Sequence, residues 1–207
     1  MKILNLYAGI GGNRKLWGEE HEITAVENNP EIARIYKDFF PNDNVIVADA
    51  HEYLLKHLNE FDFIWSSPPC PTHSRIRKCF TKAEHYGLKE VYPDMRLYEE
   101  IVFLQGYCKC KWVVENVISW YDPLIRPFEF HRHYFWSNFT ISKEKIISKR
   151  KHVELDGATE VYGLDISTYD TEVKKRKILR NCVDPKVGLH VFNCAFKTKQ
   201  NTLQTFK

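Results

Sequence analysis

The sequence predicts an α/β fold with a mostly parallel central sheet flanked by helices. Two observations predict it. Short β-type runs alternate with helical patterns through the first two thirds of the chain, which is how βαβ units read in sequence. Residues of unusual type gather where those runs end, and in an open parallel sheet that edge is where ligands bind. At 207 residues, 43% hydrophobic and 28% charged, the chain suits one domain with a sizeable core.

The elements follow in order. KILNLY (2–7) reads as the first strand, AGIGG (8–12) as a turn, and a helix is expected to begin near Asn13. EITAVE (22–27) is the second strand. NNPEIARIYKDFF then places Asn29 to cap a helix and Pro30 at its first position. VIVAD (45–49) is the third strand, HEYLLKHL a short helix and FDFIWS (61–66) the fourth strand. PDMRLYEEIVFLQGY (93–107) sets Met95, Tyr98, Ile101, Val102 and Leu104 close to one helical face. KWVVENV (111–117) and HYFWSNFTI (133–141) supply two more strands.

The pattern weakens over residues 142–178, which are polar and basic with DGATEVYGLD among them. ILRNCVDPKVGLHVFNCAF then reads as a return to ordered structure, and KTKQNTLQTFK as a loose tail. The division expected is a core over 1–141, a short basic segment over 142–178 and a return to the core over 179–207.

Charge and cysteine content narrow the function classes. The formal net charge is +3, a mild bias. The clusters KEKIISKRK (143–151) and KKRK (174–177) fit either phosphate-backbone contacts or a solvated face. No long apolar run suggests a membrane span. The N-terminus has no apolar stretch of the signal-peptide kind, so a cytoplasmic location is expected. The six cysteines are then expected to be mostly reduced. Cys108-Lys109-Cys110 does not have zinc-ligand spacing, and no metal site is expected.

The strand ends carry the chemistry. The glycine turn after strand one lets backbone approach a ligand at close range, although it lacks the dinucleotide and P-loop spacings. Glu27, fifteen residues after Gly12, is placed for ribose hydroxyls, and Asp49 for an adenine amino group. Together these point to a nucleoside-bearing cofactor, with helix capping or surface charge as the plain structural alternative for either acid. Strand four ends in Pro68-Pro69-Cys70. The prolines fix where the thiol points, and Arg75, Arg77 and Lys78 downstream are expected to lower its pKa. The alternative for Cys70 is a small buried hydrophobe. Strand five ends in Glu115-Asn116, which the parallel reading sets beside Cys70.

In order, YAGIGG, AVENNP, ADAHEY, SSPPCPTHS, VVENV, HRHYFW and RNCVD resemble the cytosine-5 methyltransferases of nucleic acids. The likeness spans most of residues 3–140 and resumes near 179–192, and the PPC and ENV pair is its specific part. The resemblance implies a Rossmann-like, S-adenosylmethionine-dependent methyltransferase fold. It assigns Cys70 as nucleophile, Glu115 as the acid beside it and Arg132 as a holder of the target base. It assigns Tyr7, Gly9, Ile10, Gly11, Gly12, Glu27, Asn28, Asp49, Ala50, Pro69, Asn181 and Val183 to the cofactor. The implied reaction is methylation of cytosine C5 in DNA through a covalent adduct at C6 of a flipped-out base. The partner that the resemblance implies is DNA, as a duplex or a single strand. An RNA loop and a catalytically silent nucleic-acid-binding homologue are the other readings.

The sequence departs from the family pattern at several places. Phe130 stands where relatives carry a second basic residue, with His131 and His133 flanking Arg132 instead. Pro71 replaces the usual glutamine after the PPC cysteine. Residues 142–178 replace a much larger target-recognition segment. Lysine and arginine clusters grip phosphate rather than base edges, so low sequence specificity or a very short site is expected.

Overall fold

The computed structural model describes residues 1–82, 89–147 and 162–196, with the side chains of 80–82 left aside. A seven-stranded sheet runs through it: β1 (Lys2–Leu6), β2 (Glu22–Glu27), β3 (Asn44–Val47), β4 (Phe63–Ser66), β5 (Lys111–Val117), β6 (Phe128–Phe130) and β7 (His133–Ser137). The helices are α1 (Pro30–Phe39), α2 (Ala50–His57), α3 (Arg75–Lys82), α4 (Arg96–Tyr107), α5 (Lys175–Arg180) and α6 (Pro185–Phe196). The strand order is β3-β2-β1-β4-β5-β7-β6. β1 to β5 are parallel, and β7 runs antiparallel to both β5 and β6.

Strand alternation explains the two covered faces. Ile3, Phe63, Trp65 and Val113 point to one face, where Val187, Val191 and Phe192 of α6 pack on them. Leu4, Leu6, Ile64 and Val114 point to the other, under Leu54 of α2 and Leu97, Ile101 and Leu104 of α4. Each such side chain contributes about 1.5–3 kcal/mol on burial. α1 begins where the sequence places it, with the Asn29 side chain accepting from the Glu31 and Ile32 amides and Pro30 in the first turn.

Several expectations need correction. No helix starts at Asn13: residues 12–17 form tight turns in which Lys15 N–H reaches the Gly12 carbonyl and Trp17 N–H the Arg14 carbonyl. The stretch is cut short by Gly18 in the left-handed region and by burial of Arg14 against Asp43 and Trp17 in the core. β3 stops at Val47, so Asp49 is not a strand residue but the cap of α2, accepting from Glu52 N–H. The buried face of α4 carries Leu97 and Glu100, whereas Met95 and Val102 are exposed. β6 and α3 are absent from the sequence reading. Cys108 and Cys110 are bonded to each other across the link from α4 to β5, their Cα atoms 5.5 Å apart, and the free thiols are Cys70, Cys79, Cys182 and Cys194. The tail 197–207 and much of the 143–151 basic cluster lie outside the described residues. Among the described residues no helix is long and apolar enough to cross a membrane, and no group of potential ligands could hold a metal ion.

Candidate active site

Strand order reverses at the β1–β4 pair, and the crevice beyond their carboxyl ends is where such a sheet binds ligands. The segments that open onto it are the loop 7–12 after β1 and the corner 67–70 after β4.

The glycine loop is fixed by its own backbone and by one carboxylate. Tyr7, Gly9 and Gly11 have φ of 55°, 54° and 81°. Gly9 N–H donates to Glu27 at 3.0 Å, and the other Glu27 oxygen accepts from Asn29 N–H at 3.0 Å. Glu27 thus ties the ends of β1 and β2 together. Gly9 has open space where a Cβ would stand. Gly12 has none: a Cβ there would collide with the Cys182 sulfur and the Val183 carbonyl. Val183 is therefore packed beneath the loop, and Ile10 and Ala50 are buried as well. Asn28, Pro69 and Asn181 are exposed. Asp49 is exposed too and pairs with Arg96 at 3.5 Å.

β4 and β5 are neighbours in parallel register, Ser66 opposite Val114. Their ends consequently meet. Asn116 Nδ2 donates to the Pro68 carbonyl at 2.9 Å, and Ser67 Oγ donates to Glu115 at 2.8 Å. Glu115 is 5% exposed, and its other oxygen is held by His133 Nδ1. His133 lies two residues from Phe135, the register partner of Glu115, so both side chains share one face. Cys70 is partly exposed, and its carbonyl accepts from the His73 and Ser74 amides in a tight turn.

The thiol electrostatics run opposite to expectation. Burial first, then the charge on Glu115, pushes Cys70 up to about 11. The downstream cations do not oppose this. Arg75 donates to the Ser119 carbonyl, Arg77 to the Lys89 carbonyl, and Lys78 lies over the Trp120 ring. Arg132 is exposed in the two-residue turn between β6 and β7 and is not drawn into the Cys70–Glu115 cluster.

Four supporting residues were missed. Ser67, Asn116 and His133 hold the corner and the acid. Glu100, 0% exposed on α4, accepts from Tyr7 Oη–H, from Ser66 Oγ–H at 2.6 Å and from His51 Nδ1 at 3.1 Å. It thereby links the glycine loop to the strand that leads into the proline corner. A carboxylate three residues after Leu97 and four before Leu104, on an otherwise apolar helix face, was the signal in the sequence.

Residues 1–95 match the family model described as C-5 cytosine-specific DNA methylase. Among solved structures, a mutant DNMT2 from Spodoptera frugiperda shares 29% identity, with 56% of this chain and 35% of that chain covered, at a TM-score of 0.38. A SAM-dependent methyltransferase from Agrobacterium tumefaciens shares 15%, covering 58% and 40% at 0.42. The putative methyltransferase yhhF from Escherichia coli shares 17%, covering 66% and 74% at 0.41. This chain therefore spans about a third of the DNMT2 chain that it matches. No curated protein matches the chain closely enough to count as a relative.

Proposed function

We propose, from the match of residues 1–95 to the C-5 cytosine-specific DNA methylases, that this chain methylates C5 of cytosine in DNA through a covalent adduct on Cys70. The observation that carries the reading is the meeting of Cys70 and Glu115 at adjacent strand ends, locked by the Asn116–Pro68 and Ser67–Glu115 hydrogen bonds.

The crevice suits S-adenosylmethionine. The open space above the partly exposed Gly9 and the Glu27 carboxylate that holds its amide offer room and acceptors for a nucleoside bearing an amino acid. Tyr7, Gly9, Ile10, Gly11 and Gly12 would border it, with Glu27 and Asn28 on the ribose side and Asp49 and Ala50 on the adenine side. Pro69, Asn181 and Val183 would close it. Bound there, S-adenosylmethionine supplies an electrophilic methyl group to a carbon nucleophile.

The protein's part is to make C5 that nucleophile. The Cys70 thiolate forms a bond to C6, and the electrons of the C5–C6 bond move toward C5 and N3. Glu115 in its neutral form donates to N3 and stabilises the charge that develops there. Ser67 and His133 keep the acid in place. Arg132 is assigned to the target base, which requires the β6–β7 turn to lie against the bound strand. Once C5 is substituted, loss of its proton expels the thiolate and restores the ring. A stacked base cannot lie flat on Cys70, so a duplex substrate must flip its cytosine.

The segment 142–178 is assigned to target contact. Its small size also favours a second reading, methylation of an RNA loop whose bases are already unstacked. An oligonucleotide carrying 5-fluorocytosine tests the chemistry. The wild-type chain is expected to form a covalent adduct in the presence of the cofactor, and Cys70→Ala none. An adduct retained by Cys70→Ala overturns the assignment. Methyl transfer to duplex DNA, single-stranded DNA and tRNA in parallel separates the DNA, RNA and silent readings.

A further inference from the structure

A cavity of about 410 Å³ lies between α3, which follows the Cys70 turn, and the chain after β5, and the chemistry above does not use it. One wall is α3, with Arg75, Lys78 and Cys79, and the other is the chain after β5, with Trp120 and Tyr121; Tyr134 also lines it. Both walls continue directly from catalytic elements, α3 from the Cys70 turn and Trp120 from the end of β5.

The walls are tied to each other and to that turn. Ser74 and Ser119 form an antiparallel bridge. Trp120 donates through its backbone N–H to the His73 carbonyl at 3.1 Å and through Nε1 to the Thr72 carbonyl at 3.0 Å. Arg75 Nε donates to the Ser119 carbonyl at 3.2 Å, and His73 Nδ1 meets the Tyr121 hydroxyl at 2.6 Å. The Lys78 ammonium stands 5.0 Å from the centroid of the Trp120 ring. Three aromatic rings and two cations therefore line one preorganised cavity. Stacking surface beside positive charge is the combination that binds unstacked nucleotides. Asp122, the one carboxylate among the described residues of the lining, can accept from a base amino group but repels phosphate.

We propose that this cavity is a subsite for the nucleotide next to the target cytosine in an unstacked DNA strand. The base lies against the aromatic wall and the phosphate meets Arg75 and Lys78. The assignment rests on the methyltransferase reading for its position, since both walls are joined in the chain to the segments that carry Cys70 and Glu115. It does not rest on catalysis for its test.

Cys79 supplies the readout. It lines the cavity and is exposed, whereas Cys182 and Cys194 are buried. In a Cys70→Ala background, the rate of Cys79 alkylation is followed by mass spectrometry with and without saturating oligodeoxycytidylate, and binding is followed in parallel by fluorescence anisotropy. The expected result is protection of Cys79. Trp120→Ala should weaken binding by roughly 5- to 150-fold while Trp120→Phe retains most of it. Lys78→Glu, on the exposed side of α3, should weaken binding and lower the salt slope by about one unit, with circular dichroism checking that the fold is retained. Binding seen by anisotropy with Cys79 unprotected overturns the subsite alone. Absence of any binding overturns both the subsite and the reading beneath it. Protection by oligoribocytidylate but not by its deoxy counterpart overturns the DNA assignment.

Discussion

Cys70 and Glu115 each set the condition under which the other can work. The thiol is held up to about 11 by burial and by the glutamate charge, so at neutral pH the thiol form predominates over the thiolate. The proposed addition needs a thiolate and a neutral acid together. Protonating Glu115 removes the charge that opposes ionisation of Cys70, so the two needs are met by one proton. Glu115→Gln should therefore lower the pH at which iodoacetamide modifies Cys70, without restoring the ordinary thiol value because burial persists. An unmoved or raised alkylation profile would contradict this coupling. His51 offers a second titration. Its hydrogen bond to buried Glu100 raises its pKa, against desolvation. A group raised on folding adds stability that is full below its ordinary value of 6.5 and fades as pH climbs through the raised folded value. Melting temperatures of wild type and His51→Gln should accordingly converge from mildly acidic to alkaline pH; a gap that widens would refute it.

At the scale of elements, the glycine loop and α4 make a contrast. Gly12 faces Cys182 and Val183 with no room for a methyl group, whereas Gly106 in α4 has open space around it. Gly12→Ala should cost about 1–3 kcal/mol in urea denaturation by forcing the α5–α6 link off the loop. Gly106→Ala should gain about 0.5–1 kcal/mol, because alanine restricts the unfolded chain and suits a helix. Equal effects at the two positions would mean that the loop is not packed against the C-terminal helices. The same loop shows where element reading fails. AGIGG was legible as a turn, but the helix expected after it does not form, because burial of Trp17 and Arg14 outweighs local helical preference.

At the scale of the whole molecule, one buried ion pair adds to the apolar core. Arg14, 1% exposed, donates to both oxygens of Asp43 at 2.8 and 3.0 Å and to the Gly18 carbonyl, joining the post-β1 turn to the link between α1 and β3. Arg14→Met would leave Asp43 buried without its cation, at a cost of about 3–5 kcal/mol in chemical denaturation. A loss below 1 kcal/mol would show that water reaches the site. The sequence by itself determined the α/β class, the parallel strands, the cap of α1 and the candidates gathered at the strand ends. Those follow from period-two and period-3.6 patterning and from Gly, Pro and Asn chemistry, which act within a few residues of themselves. Only the tertiary structure decided which candidates meet. It set Glu115 beside the proline corner through the β4–β5 register and gave it His133 through an antiparallel strand. It also pinned Tyr7 and Ser66 to Glu100, left Arg132 exposed on its turn, and raised the thiol that neighbouring cations were expected to lower. Those outcomes depend on distance and desolvation between segments far apart in the chain, and neither is encoded in spacing along it.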